Sequence, residues 1–231
     1  MLFLSLNTKT DYKMKKNFKT ILFMSALAIA LVGCKDKAKE AETSDAKAAA
    51  EAEATATKYV ADAEASTIEW KGFKPTGTHN GTIKLDSGTF KISNGKVESG
   101  SFLINMGSIA VLDIPADDEK NGKLKGHLTS ADFFDVEKFP NAAFEVTGIS
   151  EAEGKTMLSG NLTLKGVKNN ITFPVSVSEN ENGVALTSES FTIDRSKWNV
   201  QYGSKSFFDD LGDKFINDDI ELKINLVAKK A

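Results

Sequence analysis

The sequence predicts an all-β domain, an antiparallel barrel with one short helical insertion, lying behind an export signal and a charged spacer. Across residues 67–229, apolar and polar residues alternate with a period of two, the pattern of strands with one buried face. Asn-Gly and similar pairs recur between these runs, where tight hairpins need positive φ. A single stretch reads as helical. Closing the sheet removes the exposed edges that an open sheet would present, which favours a barrel.

The elements can be justified in chain order. Ile83 and Leu85 are followed by Phe90 and Ile92, so the apolar phase moves from odd to even across Asp86-Ser87-Gly88. A one-residue phase change flips side chains to the other face, so a turn or bulge belongs there. Ser87-Gly88 and Glu153-Gly154 read as reversals, and Asn94-Gly95 and Asn182-Gly183 as tight hairpins. Phe102, Ile104 and Met106 form the next period-two run. Residues 115–127, rich in Asp, Glu and Lys, form the helical stretch and lead into Ser130-Ala131-Asp132-Phe133-Phe134. Phe144 and Val146 start another strand. Leu158, Leu162 and Leu164, with Gly160 between them, make a further one, then Ile171, Phe173, Val175 and Val177. Ile220, Leu222, Ile224, Leu226 and Ala228 close the series. This amounts to roughly eight to ten strands, an all-β pattern of barrel or sandwich type.

The N-terminal part has a different character. Four lysines within residues 13–19 precede an apolar run over residues 21–32, the order found in a secretory signal peptide. The run is shorter than the ~20 residues a membrane span needs. It ends in Leu31-Val32-Gly33-Cys34, which resembles the bacterial lipobox, and Cys34 is the only cysteine in the chain. The expectation is a signal peptide over residues 1–33, with Met14 as the natural start, and acyl chains on Cys34 that tether the mature protein to a membrane. Lys35, rather than Asp, after the cysteine leans towards the outer membrane. Residues 35–58 contain no aromatic residue and no Val, Ile or Leu. Such a stretch has little apolar surface to offset its ordering entropy and reads as a flexible Ala/Glu/Lys-rich spacer spanning about 25–30 Å. The domain proper is expected over residues 59–231.

Composition excludes several functions. A net charge of −3 argues against nucleic-acid binding. One cysteine excludes an intramolecular disulfide. His79 and His127 are the only histidines and are far apart, with no metal-binding spacing between them. His79 reads as a solvated turn residue, and His127 as a structural residue at a helix end rather than a catalytic base. No nucleophile elbow or phosphate loop is present. The acidic cluster of Asp209, Asp210, Asp213, Asp218 and Asp219 does not fit an EF-hand and reads as a solvated loop. Arg195 is the only arginine in the chain. It could contact a polar ligand head, but an ion pair with Asp194 or another carboxylate that ties down a turn is favoured. The many phenylalanines, with Trp70 and Trp198, either fill the barrel or line an apolar cavity.

Three stretches carry a family resemblance. They are His127-Leu128-Thr129-Ser130-Ala131-Asp132-Phe133-Phe134-Asp135-Val136-Glu137-Lys138-Phe139-Pro140; Gly160-Asn161-Leu162-Thr163-Leu164-Lys165-Gly166-Val167, continuing to Phe173-Pro174-Val175; and Ile193-Asp194-Arg195-Ser196-Lys197-Trp198-Asn199-Val200-Gln201-Tyr202-Gly203. In this order they resemble the YceI-like family, as do Ile68-Glu69-Trp70-Lys71-Gly72 and Thr78-His79-Asn80-Gly81. The resemblance covers about residues 59–228. It implies a lipocalin-like antiparallel barrel of about eight strands whose elongated apolar lumen holds a polyisoprenoid or related lipid, with no catalytic residues, cofactor or metal. Strand parity then gives Trp70, Phe90, Phe102, Ile104, Phe144, Leu162, Leu164, Phe173, Phe191, Trp198 and Leu222 as lumen candidates, and Arg195 stays the candidate for a head-group contact beside its favoured ion-pair role. The expected partners are an isoprenoid or other lipid and, through acylated Cys34, a membrane; a homodimer stays open and nucleic acid is not expected. Two other readings remain: a structural or stress-related interaction module with a filled barrel, and an enzyme acting on a lipid-like substrate.

Overall fold

The computed structural model of the chain describes residues 38–181 and 183–231. The expected signal peptide and Cys34, and Asn182 of the expected Asn182-Gly183 turn, lie outside the described residues.

The strands in chain order are β1 (Lys39–Glu40), β2 (Glu42–Asp45), β3 (Thr57–Ala61), β4 (Thr67–Lys74), β5 (Gly77–Ser93) and β6 (Lys96–Val111), then helix α1 (Glu119–Thr129). After it come β7 (Asn141–Ala152), β8 (Lys155–Leu164), β9 (Val167–Asn180), β10 (Gly183–Ser188), β11 (Phe191–Asp194) and β12 (Asp219–Lys230). β5 to β10 follow one another as antiparallel neighbours, and β12 pairs with both β10 and β11. β3 and β4 both lie between β5 and β12 and occupy one position end to end; β10 and β11 share another. The result is a ring of eight strand positions, all antiparallel. An even number allows that pattern to close on itself.

Local chemistry sets the corners. Asn94 and Gly95 (φ 51° and 74°) join β5 to β6, and Glu153 and Gly154 (φ 54° and 74°) join β7 to β8. Lys165 and Gly166 (φ 48° and 78°) make a third such turn, between β8 and β9. The sequence concealed it, because lysine is not a residue that marks positive φ. Ser87-Gly88 is not a reversal. β5 runs straight through it, with a register shift between Leu85 and Ser87 that absorbs the phase change. The Phe102 ring packs over Gly88, where a Cβ would sit only 2.3 Å from it. The one α-helix among the described residues begins slightly later than expected, at Glu119, because the Asp118 side chain caps it by accepting from the Lys120 N–H at 2.8 Å.

The largest departure from expectation is the spacer. From Ala38 onward it is seated on the barrel. β1 lies parallel to β11, and β2 lies antiparallel to β9, opposite Asn169–Thr172. Residues 39–45 thus form a strand inserted between β9 and β11. Beyond it, the Lys47 N–H donates to Asn161 Oδ1 (3.0 Å), and Asn161 Nδ2 donates back to the Lys47 carbonyl (2.7 Å). The Ala50 N–H then donates to Val146 O and the Glu53 N–H to Glu98. Ala41 and Ala50 are the residues of this stretch that join the core cluster. Each methyl contributes about 0.8 kcal/mol, against about 0.5–1.5 kcal/mol for each backbone hydrogen bond. Apolar burial, the one quantity legible in its composition, is therefore the smaller part of what holds this segment; most comes from hydrogen bonds to the edges of β9 and β11 and to Asn161.

Candidate functional site

The barrel interior has two halves. At the end bearing the 94–95 turn, Tyr59, Phe90 and Phe102 stack in sequence, with centroids 5.8 Å apart at each step. Val97, Val146, Leu226 and Ala228 fill the space around them. The other half holds a cavity of about 430 Å3. Every strand position contributes to its wall, and the lining is mostly apolar.

The two halves are visible along a single strand. On the inward face of β12, Leu226 and Ala228 are buried in the filled end, while Ile220, Leu222 and Ile224 are half-buried because they face the cavity. Of the residues that parity selects, Trp70, Ile104, Phe144, Leu162, Leu164, Phe173, Phe191 and Leu222 meet on the cavity wall. Phe90, Phe102 and Trp198 do not. The first two plug the filled end. Trp198 is fully buried in the 3-10 turn that follows β11, with its Nε1 donating to Leu162 O at 2.9 Å. Parity gives the face of a strand but not the height along the barrel, and height decides between plug and cavity.

The mouth is built by segments that carry the family resemblance. His127 and Leu128 of α1, together with Phe133 and Phe134, cover one side; Arg195 and Tyr202 cover another. Phe133 and Phe134 meet edge to face at 4.9 Å, and His127 lies edge-on to Tyr202 at 4.5 Å. Burial pulls His127 below the usual imidazole range; nearby Lys74 acts in the same direction and Asp132 opposes both. His79, expected in a solvated turn, lies instead within β5 on the cavity rim, with Nδ1 2.8 Å from Asp113. Although burial pushes Asp113 upward, the Asn80 N–H and His79 hold it below the usual carboxylate value.

Arg195 is fully buried. Its Nε donates to Asn217 O, Nη1 to Val200 O and Nη2 to Ile216 O, while Nη2 lies 3.3 Å from Asp218. Its guanidinium stacks 5.2 Å from the Phe133 ring. The side chain borders the cavity, but its donors are committed to the 200–218 loop. The carboxylate partner is Asp218, whose other oxygen accepts from Ser204 and Ser206. Trp70 Nε1 is likewise satisfied, donating to Ala110 O at 3.2 Å. Most of the wall presents carbon, with Lys74, Lys214, His127 and Tyr202 among its polar members, which suits a largely apolar occupant. Among the described residues no group of three or more His, Cys, Asp or Glu is placed to hold a metal ion.

Sequence reasoning missed Asn161 and Asn170. Both are buried, and they bond to each other at 3.1 Å, with Thr147 beside Asn170. A buried asparagine with a known strand phase was the available signal.

The geometry can be set beside known proteins. A model of the YceI-like domain matches residues 59–228. The chain belongs to the YceI-like family. It is 33% identical over 94 residues to protein YceI of Salmonella arizonae, covering 40% of this chain and 45% of that one. To a UPF0312 protein of Pseudomonas putida it is 32% identical over 95 residues, 41% of this chain and 46% of that one. These alignments span less than half the length of the curated relatives. Among solved structures, Burkholderia cenocepacia BcnA superposes with a TM-score of 0.59 at 24% identity, covering 73% of this chain and 99% of that one. A polyisoprenoid binding domain from Saccharophagus degradans gives 0.52 at 17% identity, with 75% and 98% covered. At these identities the superpositions establish a shared YceI-like fold.

Proposed function

We propose that this YceI-like chain binds a long apolar molecule, a polyisoprenoid or related lipid, in its barrel and sequesters or carries it. The observation that carries the reading is the apolar cavity of about 430 Å3, within the range of small-molecule sites. Burial of hydrocarbon contributes about 0.8 kcal/mol per methylene, so a long tail binds well with few polar contacts. The polyisoprenoid-binding protein that shares this fold supports the ligand class. The test is gentle purification followed by mass spectrometry of extracted lipid. A near-stoichiometric isoprenoid or other long-chain lipid is expected; no extracted lipid and no uptake of a fluorescent polyene fatty acid would overturn the reading.

The same proposal places the protein in the cell envelope as a lipoprotein, acylated on Cys34 and held at the outer membrane. Its support is the order of basic run, short apolar run and lone cysteine. Labelled palmitate should enter the wild-type chain and not Cys34→Ser, which should also leave the membrane fraction. Equal labelling of the two forms would rule out that site.

A further inference from the structure

One gap between the strands whose side chains line the cavity is filled by a segment from outside the YceI-like match. β9 and β10 stay paired as far as Val175 and Ser188. Beyond that point β9 pairs with β2, and β11 pairs with β1. Residues 39–45 occupy the gap, and they precede the segment that matches the family. Ile171 lies opposite Thr43, Phe191 lies opposite Lys39, and both line the cavity. Phe173 and Phe191 stack across the inner side at 4.3 Å and 10°.

We propose that residues 38–53 are a detachable strap over a lateral slit between β9 and β11, and that the apolar ligand passes through this slit. The proposal rests on the reading of the cavity as a ligand site. Two contrasts support it. The strap adds little apolar surface to the core, and its flanking ion pairs, Lys39 with Glu153 and Glu40 with Lys197, are exposed and weak. Segments with few buried contacts open locally at low cost, ahead of the rest of a fold. The mouth, by contrast, is pinned by buried Arg195 and by Phe133 and Phe134. A long chain would have to thread past them end-on, whereas a slit along the barrel admits it broadside. Asn161 is the positioning residue: its amide holds the Lys47 backbone on both its N–H and its C=O, so it grips the strap without reading its side chains.

The test uses the full-length chain with Cys34→Ser, plus Glu42→Cys and Thr172→Cys, which face each other across β2 and β9. Uptake and release of cis-parinaric acid are followed by fluorescence in the oxidised and reduced forms. Oxidation should slow both rates at least about ten-fold while leaving affinity within about two-fold, and reduction should restore them. Unchanged rates in the oxidised form would overturn the slit. Hydrogen exchange of the unmodified chain supplies a readout that needs no ligand. Amides of residues 38–53 should exchange well before those of β5 to β8, and faster still in Asn161→Ala. Equal protection would overturn the strap. Failure of the reduced protein to bind the probe would refute the cavity reading and the passage with it, while exchange still decides whether the strap opens.

Discussion

At the scale of single residues, Arg195 shows how one side chain can look like a ligand contact and serve the fold. Its bonds to Val200, Ile216, Asn217 and Asp218 hold the mouth loop against β11. Arg195→Lys cannot reproduce that fork and would leave buried acceptors without donors. A loss of about 2–4 kcal/mol in urea denaturation is expected, with cis-parinaric acid affinity unchanged in the folded fraction. Gly160 has the opposite profile. A Cβ there would stand 2.1 Å from the ring of Phe144, a cavity-wall residue that must then shift. Gly160→Ala should cost about 1–3 kcal/mol and reduce the length of fatty acid that binds, measured by titration with chains of graded length. His127 gives a pH dependence. Its folded value lies below the unfolded one of about 6.5, so within that window the unfolded chain binds more protons and stability rises with pH. The contribution is complete above the unfolded value and is lost as pH falls through the window. Between about pH 7 and about pH 5 the urea midpoint should fall further for the wild type than for His127→Phe.

At the scale of elements, the strands were legible because one face of each is apolar, and a period of two survives even where that face borders a cavity. The inward faces of β9 and β12 could be read residue by residue from Ile171, Phe173, Leu222 and Leu226. Which of these residues border the cavity was not legible, because open height along the barrel depends on the Tyr59–Phe90–Phe102 plug, which β3, β5 and β6 supply. The strap was illegible for a different reason. Its side chains carry no pattern, since its attachment is through backbone groups and the Asn161 amide. Helix α1 was visible in composition, but its start depends on one capping side chain. Asp118→Ala should lower stability by about 0.5–2 kcal/mol and loosen the mouth, which thermal unfolding and exchange of the 119–129 amides would report.

At the scale of the whole molecule, an occupant that binds only the folded barrel adds to its stability. At a free concentration about 100-fold above Kd the gain is about 2.7 kcal/mol, which for a chain of this size is a rise in Tm of about 5–10 °C. Thermal scans of delipidated protein with and without cis-parinaric acid should show that rise, and Leu222→Glu, which places a charge on the cavity wall, should abolish it. The eight antiparallel positions are joined strand to strand by direct pairing except where β9 and β11 part. There residues 39–45 fill the gap. Any pull on the residues ahead of Ala38 is therefore delivered first to β1 and β2, before any strand of the ring is loaded. With the proposed acyl anchor on Cys34 in place, mechanical tension and the proposed ligand passage would act on the same few hydrogen bonds, and a bound lipid would be held most firmly when that anchor pulls least.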